Sequence, residues 1–239
     1  MKLKVLITGG SGGIGREMVR LFAKKGHSVA FTYCRNKKEA QSLSDECGAV
    51  AFSADFSREE SVWDLADRIK REFGEIDVLI NNAGVSHYGL FQNTTEEDFH
   101  RVFSVDFQSV YFLTKAFILP MIQKRSGCII NISSIWGQTG ASCEVLYSSA
   151  KAAVIGFTKA LAKELAPSLV RVNCIAPGVV DTDMLSGFSS SEKDALKTEI
   201  PTERFTDPLE IAETALFLAE NDMPSLTGQV LGVNGAMYC

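Results

Sequence analysis

The chain has 239 residues, 46% hydrophobic and 22% charged, enough to bury a full core in one domain. Its net charge of −5 and pI near 5.3 exclude a general nucleic-acid or anionic-membrane surface, since both need a basic field. The six cysteines, Cys34, Cys47, Cys128, Cys143, Cys174 and Cys239, form no C-x-x-C pair and no zinc-type spacing, so reduced thiols and no metal site are expected.

The pattern alternates strand and helix from the start. Strands are predicted at 3–8, 28–33, 50–54, 77–81, 128–133, 170–176 and 229–233, with helices at 13–25, 36–47, 57–73, 95–125, 147–166 and 208–220. Such alternation predicts a doubly wound α/β domain of Rossmann type, a seven-stranded parallel sheet with helices on both faces and ligands at the carboxyl ends of the strands. No apolar run reads as long enough to span a membrane. The N-terminus enters a strand without a signal-peptide pattern, and a cytoplasmic protein is expected. The segment 185–205, with Ser189, Ser190 and Ser191 interrupting the apolar patterning, reads as a substrate lid on this single domain.

The first strand runs into Thr8-Gly9-Gly10-Ser11-Gly12-Gly13-Ile14-Gly15 and then into a helical pattern. Glycines let the backbone turn tightly and approach a pyrophosphate, and the helix start offers unpaired N–H groups. Strand, glycine turn and helix together read as a phosphate cradle.

Tyr147 and Lys151 are four residues apart in a helical stretch, so they share a face, and Ser134 ends the strand-like run thirteen residues upstream of Tyr147. A phenol, an ammonium and a hydroxyl can thus meet in a proton-handling site. A free tyrosine has a pKa of about 10, and acid–base work near neutrality needs about 4 kcal/mol of preferential phenolate stabilisation. A close cation in a low-dielectric cleft supplies energy of that size. The competing reading is chance, because Tyr-x-x-x-Lys occurs on many helices; the glycine turn supplies the context against it.

Four blocks together, Thr8-Gly9-x-x-x-Gly13-x-Gly15, Asn81-Asn82-Ala83-Gly84, Ser134 with Tyr147-x-x-x-Lys151, and Ala176-Pro177-Gly178 with Thr182, make the whole chain resemble a short-chain dehydrogenase/reductase. The resemblance implies that Gly9, Gly13, Ile14 and Gly15, with Thr8, cradle the cofactor pyrophosphate, that Asp55 beside Phe56 meets the adenine, and that Asn82, Ala83 and Gly84 floor the site. It further implies that Thr182, with Pro177, Gly178 and Val180 in the preceding turn, holds the nicotinamide carboxamide. Ser134 would polarise a substrate carbonyl, Tyr147 deliver the proton, and Lys151 lower the tyrosine pKa and bind the nicotinamide ribose. Asp55 reads equally well as a loop or helix-capping aspartate before Ser57. Asp106 stands where the family usually has an asparagine that organises a water relay to the lysine. An ionised carboxylate accepts from such a water but donates nothing, so either the pH dependence shifts or proton delivery slows.

An acidic side chain after the second strand would favour NAD, and none is present. Instead, Thr32-Tyr33-Cys34-Arg35-Asn36-Lys37-Lys38 offers Arg35 to a 2′-phosphate, with Lys37 or Lys38 as a second charge, and NADPH is expected. A solvated basic helix start is the alternative. Among reductases of the family, the length, the short lid and the ending 228–235 most resemble 3-oxoacyl-acyl-carrier-protein reductases, which implies a ketone carried on acyl carrier protein. Arg125 matches one basic residue of the implied carrier-docking patch, and Ser168 stands at the other. The segment 134–145 also resembles elongation factor P 5-aminopentanone reductases. There Glu144, three residues before Tyr147, would favour a cationic amine, or would simply face solvent at a helix N-terminus. A reading of another class, a catalytically silent NADP-binding regulatory protein, requires a lost proton-transfer group, and Ser134, Tyr147 and Lys151 are all retained. Small residues on the Tyr147 helix, from Ser148 to Gly156, beside the apolar stripe Phe157, Leu161 and Leu165, together with the resemblance, imply a homotetramer.

Overall fold

The structure, a computed structural model, describes residues 2–182, 185 and 187–239, with the backbone alone for 59–61. Seven strands, β1 (Lys4–Ile7), β2 (Ser28–Tyr33), β3 (Val50–Ser53), β4 (Val78–Asn81), β5 (Gly127–Ile132), β6 (Val170–Pro177) and β7 (Val230–Val233), form one sheet. Their order is β3-β2-β1-β4-β5-β6-β7, and every pairing is parallel. This is the doubly wound sheet that the alternation predicts, and each predicted strand is found within about one residue of its predicted ends. Central strands are buried on both faces, as the unbroken apolar run of Val5, Leu6 and Ile7 requires.

The crossovers are α1 (Gly13–Lys24), α2 (Lys37–Cys47), α3 (Glu59–Glu72), α4 (Glu96–Phe103), α5 (Ser109–Lys124), α6 (Ile135–Thr139), α7 (Val145–Leu165), α8 (Ser190–Thr198) and α9 (Pro208–Glu220). Phe22, Met18 and Val19 of α1 pack with Ile211 and Ala215 of α9 on one face, while Leu65 and Ile69 of α3 pack with Leu113 and Phe117 of α5 on the other. The single helix expected over 95–125 is divided by a π-helical turn, Ser104–Gln108. The combined run Glu96–Lys124 is long and apolar enough by length and composition to cross a membrane, which corrects the expectation that no run is. It is used otherwise here: Val110, Leu113, Thr114, Phe117 and Met121 are buried, most of them in the core beside Leu79 and Ile129 of the sheet.

Two short helices lie outside the expected pattern. Of these, α8 falls within the segment read as a lid. It starts from a capping box between Ser189 and Glu192, and the segment is pinned by buried Leu185 and Ile200, with Ser186 outside the described residues. The other, α6, is too short to show a helical period.

Candidate active site

The order of strands reverses between β1 and β4, and the carboxyl ends of β1 to β4 open there onto a cleft of about 550 Å³. Helix α1 begins at this cleft. Its N-cap, Gly12, has no side chain to satisfy the first N–H groups, and Arg16 is the first residue whose N–H returns to Gly12 O, so the amides of Gly13, Ile14 and Gly15 lack helical acceptors. The turn is packed against its neighbours by its lack of side chains: a Cβ on Gly15 would press into Gly9 O and stand 2.8 Å from Asn82 Nδ2. These open amides, a cradle that a Cβ would fill, and the adjoining cleft fit a dinucleotide pyrophosphate.

Gly9, Gly13, Ile14, Gly15, Arg35, Asp55, Phe56, Asn82, Ala83, Gly84 and Thr182 all line this cleft. Thr8 does not. It is buried, and its Oγ1 accepts from both Asn82 N and Ala83 N at 2.9 Å, so it holds the floor in place from below. Pro177, Gly178 and Val180 are also off the cleft wall: Pro177 ends β6, Gly178 N donates to Val233 O, and Val180 bridges to Thr206, a frame that carries Thr182 over Gly13. Asp55 Oδ1 accepts from Ser57 N at 3.0 Å and Ser57 Oγ at 2.7 Å, which holds its carboxyl below the usual range; the local-cap geometry and a place on the cleft wall coexist. Lys37 and Lys38 stay off the wall, whereas Ser11, Cys34 and Arg101, which the sequence did not single out, are on it. Arg101 carries a signal visible afterwards, since it precedes Asp106 by five residues on the same helical run.

On the cleft wall, Gly84 backs onto a buried charged pair. A Cβ there would stand 3.1 Å from Lys151 Nζ and 3.0 Å from Asp106 Oδ2, so the bare glycine lets the dinucleotide floor approach the charged pair closely. Lys151 and Asp106 are almost wholly buried, with Nζ and Oδ2 3.0 Å apart. Lys151 Nζ also donates to Ile132 O at 3.2 Å, and Asp106 Oδ1 accepts from Val85 N at 2.8 Å. Helix α7 is seated by Ser133 Oγ, which donates to Lys151 O at 2.8 Å, and by Gly137 of α6, which packs directly on the Lys151 backbone. Below them, Asn81 donates to Asn131 and Asn131 to Thr158, tying β4, β5 and α7 together.

Tyr147 lies one turn before Lys151, with Nζ 5.6 Å from its ring centroid, and the Ser134 hydroxyl is close enough to the phenol to favour its ionised form. Ser134 also caps α6, accepting from Trp136 N at 3.2 Å. Burial pushes the Tyr147 phenol up, Lys151 pulls it down, Asp106 pushes it up again and Ser134 pulls it down; the balance lies above the ordinary value. The expectation that Lys151 lowers the tyrosine pKa therefore holds for the direction of its pull but not for the sum, because burial and the Asp106 carboxylate outweigh it. Burial disfavours the Lys151 ammonium, but Asp106 and Tyr147 more than offset this and leave it above its ordinary pKa.

Glu144 sits at the N-cap of α7, half-buried, and its side chain caps no backbone N–H. Burial raises its carboxyl pKa, and its charge is felt at both Tyr147 and Tyr88. Arg125 is exposed between α5 and β5, at the end of the sheet opposite Ser134, roughly 20 Å away along the strand.

A Rossmann sheet, a dinucleotide cradle and a serine–tyrosine–lysine group at its end define an oxidoreductase that uses a nicotinamide cofactor. The model of the family described as enoyl-(acyl carrier protein) reductase matches residues 9–237, and the chain belongs to the short-chain dehydrogenases/reductases. It is 40% identical to a Bacillus subtilis (strain 168) protein named uncharacterized oxidoreductase YmfI, over the full length of both. It is 43% identical to the 3-oxoacyl-[acyl-carrier-protein] reductase FabG of Chlamydia muridarum, covering 97% of this chain and 96% of that one. To the FabG of Escherichia coli (strain K12) it is 36% identical, covering 98% of this chain and 96% of that one.

Proposed function

We propose that the protein reduces a 3-oxoacyl thioester, carried on acyl carrier protein, to the secondary alcohol with NADPH. The observation that carries this reading is Lys151 Nζ lying behind Gly84 of the cleft floor while standing 5.6 Å from the ring of Tyr147, whose phenol also feels the Ser134 hydroxyl. The bound cofactor supplies hydride to the carbonyl carbon. The Ser134 hydroxyl holds the carbonyl oxygen and stabilises its growing charge. Tyr147 gives that oxygen its phenolic proton, and the Lys151 ammonium stabilises the phenolate left behind while reaching toward the cofactor ribose. The open amides of Gly13, Ile14 and Gly15 bind the pyrophosphate.

NADPH is favoured over NADH because Arg35 lines the cleft just after β2 and none of residues 34–38 is acidic. The carrier-bound substrate is supported by the full-length similarity to proteins named for that reaction. Arg125, exposed before β5, offers the carrier one basic contact, and a homotetramer is the assembly we expect. Exposed Tyr111 and Leu119 on α5, the former beside Phe157 of α7, offer apolar surface for such pairing. The segment 185–205 serves as the lid. Six free thiols suit the cytoplasm, where we place the enzyme.

A second reading rests on Glu144. A half-buried carboxylate near the proton donor, with no backbone cap bond of its own, favours a cationic amine, as in 5-aminopentanone carried on elongation factor P. Following NADPH consumption with acetoacetyl thioesters and with aminopentanone-modified elongation factor P separates the two. Turnover of the thioester alone is expected, and turnover of the modified protein alone would replace the first reading by the second.

A further inference from the structure

Asp106 is placed by a backbone irregularity. The π-helical turn Ser104–Gln108 inserts an extra residue into the run from α4 to α5 and directs the Asp106 carboxylate inward, where it is fully buried. Such single-turn insertions often mark functional sites. One oxygen is fixed by Val85 N–H at 2.8 Å and the other stands 3.0 Å from Lys151 Nζ. A buried carboxylate is costly, and replacing such a pair with apolar groups is often neutral or stabilising, so packing alone does not require it.

We infer that Asp106 is a positioning residue that locks the Lys151 ammonium and keeps the Lys151–Tyr147 pair fully protonated, so that it sets the upper pH limit of ketone reduction. This rests on the reading of Tyr147 as proton donor. Reduction requires the phenol with its proton and the ammonium with its charge. A fixed anion beside the pair makes the first proton harder to remove, whichever group releases it.

The other groups around the pair do not replace Asp106. Arg101 on α4 opposes the Asp106 charge from the protein's side of the cleft, while Glu144 at the start of α7 adds to it at Tyr147. The Ser134 hydroxyl is uncharged and favours the ionised phenol, and the Cys174 thiol of β6, pushed up to about 12 by burial, stays neutral beside Lys151. Asp106 is the carboxylate in direct contact with the ammonium.

Asp106→Asn removes the charge at nearly constant shape, although its single amide oxygen can accept from Val85 N–H or from the Lys151 ammonium but not from both. The profile of kcat/KM for ketone reduction against pH is expected to lose its alkaline limb at a pH lower by about one unit or more than in the parent. Nuclear magnetic resonance of isotope-labelled tyrosine and lysine in the cofactor-free protein should show the first deprotonation at Tyr147 or Lys151 shifted the same way. That readout applies even if turnover is too slow to profile, and Asp106→Ser serves if the asparagine variant does not fold. Coincident profiles and titrations, a uniform loss of rate at an unchanged pH limit, or a shift to higher pH would each overturn the inference. Tyr147→Phe in the same assay is the separate control: full activity there would remove the proton-donor reading itself.

Discussion

The two halves of the site are built from different materials. The pyrophosphate end of the dinucleotide half is local and uncharged: one turn, 9–15, supplies backbone amides, and its tolerance is set by whether a Cβ fits. The proton-transfer half is assembled from distant places, with Val85, Asp106, the end of β5 at Ile132 and Ser134, and Tyr147 with Lys151 on α7 meeting around two buried charges. The first should fail through shape and the second through charge.

The largest break in that comparison is Lys151→Ala. It leaves Asp106 buried without its cation, which should cost about 3–5 kcal/mol of stability as well as turnover. Burial already raises the Asp106 pKa, and losing Lys151 raises it further. The folded variant then binds more protons than the unfolded chain, so its stability should fall as pH rises from the ordinary carboxylate range toward the raised value, more steeply than the parent's. Thermal melting across pH measures this; equal slopes would contradict the charge pairing. Next is Gly15→Ala, where the added methyl meets Gly9 O and Asn82 at the uncharged end. An overpacking cost of up to about 3 kcal/mol corresponds to a loss of about a hundredfold in NADPH affinity, read by fluorescence titration, with no change in its pH dependence. The smallest effect is expected for Arg35→Ala, which should narrow the preference for NADPH over NADH by about tenfold or more through loss of a charge-assisted bond. An unchanged preference would show that another residue meets the 2′-phosphate.

The same division explains what the sequence made legible. All seven strands and the glycine turn announce themselves through local signals: apolar runs, breaks and a helix start. The short α6 is too brief for a period to show, and α8 lies in a polar stretch whose capping box, Ser189 with Glu192, was readable but was absorbed into the lid reading. The π-helical turn leaves no mark in the apolar pattern, yet it aims Asp106. Composition shows that Lys151 can pull on Tyr147, but the net effect depends on burial and on a carboxylate from another element, which only the packed structure supplies. Likewise Thr8, inside a recognised motif, acts beneath the cleft rather than on its wall, and Arg125 is separated from its own active site by the length of a strand.

The central claim is that Tyr147 hands a proton to a ketone oxygen beside the dinucleotide cleft. Comparing NADPH binding and ketone-dependent NADPH oxidation in the parent and in Tyr147→Phe tests it most directly. Binding within about twofold of the parent is expected, with oxidation reduced by between about a hundredfold and ten-thousandfold, the range of a lost general acid. Oxidation at the parental rate, with the phenol gone, would contradict it.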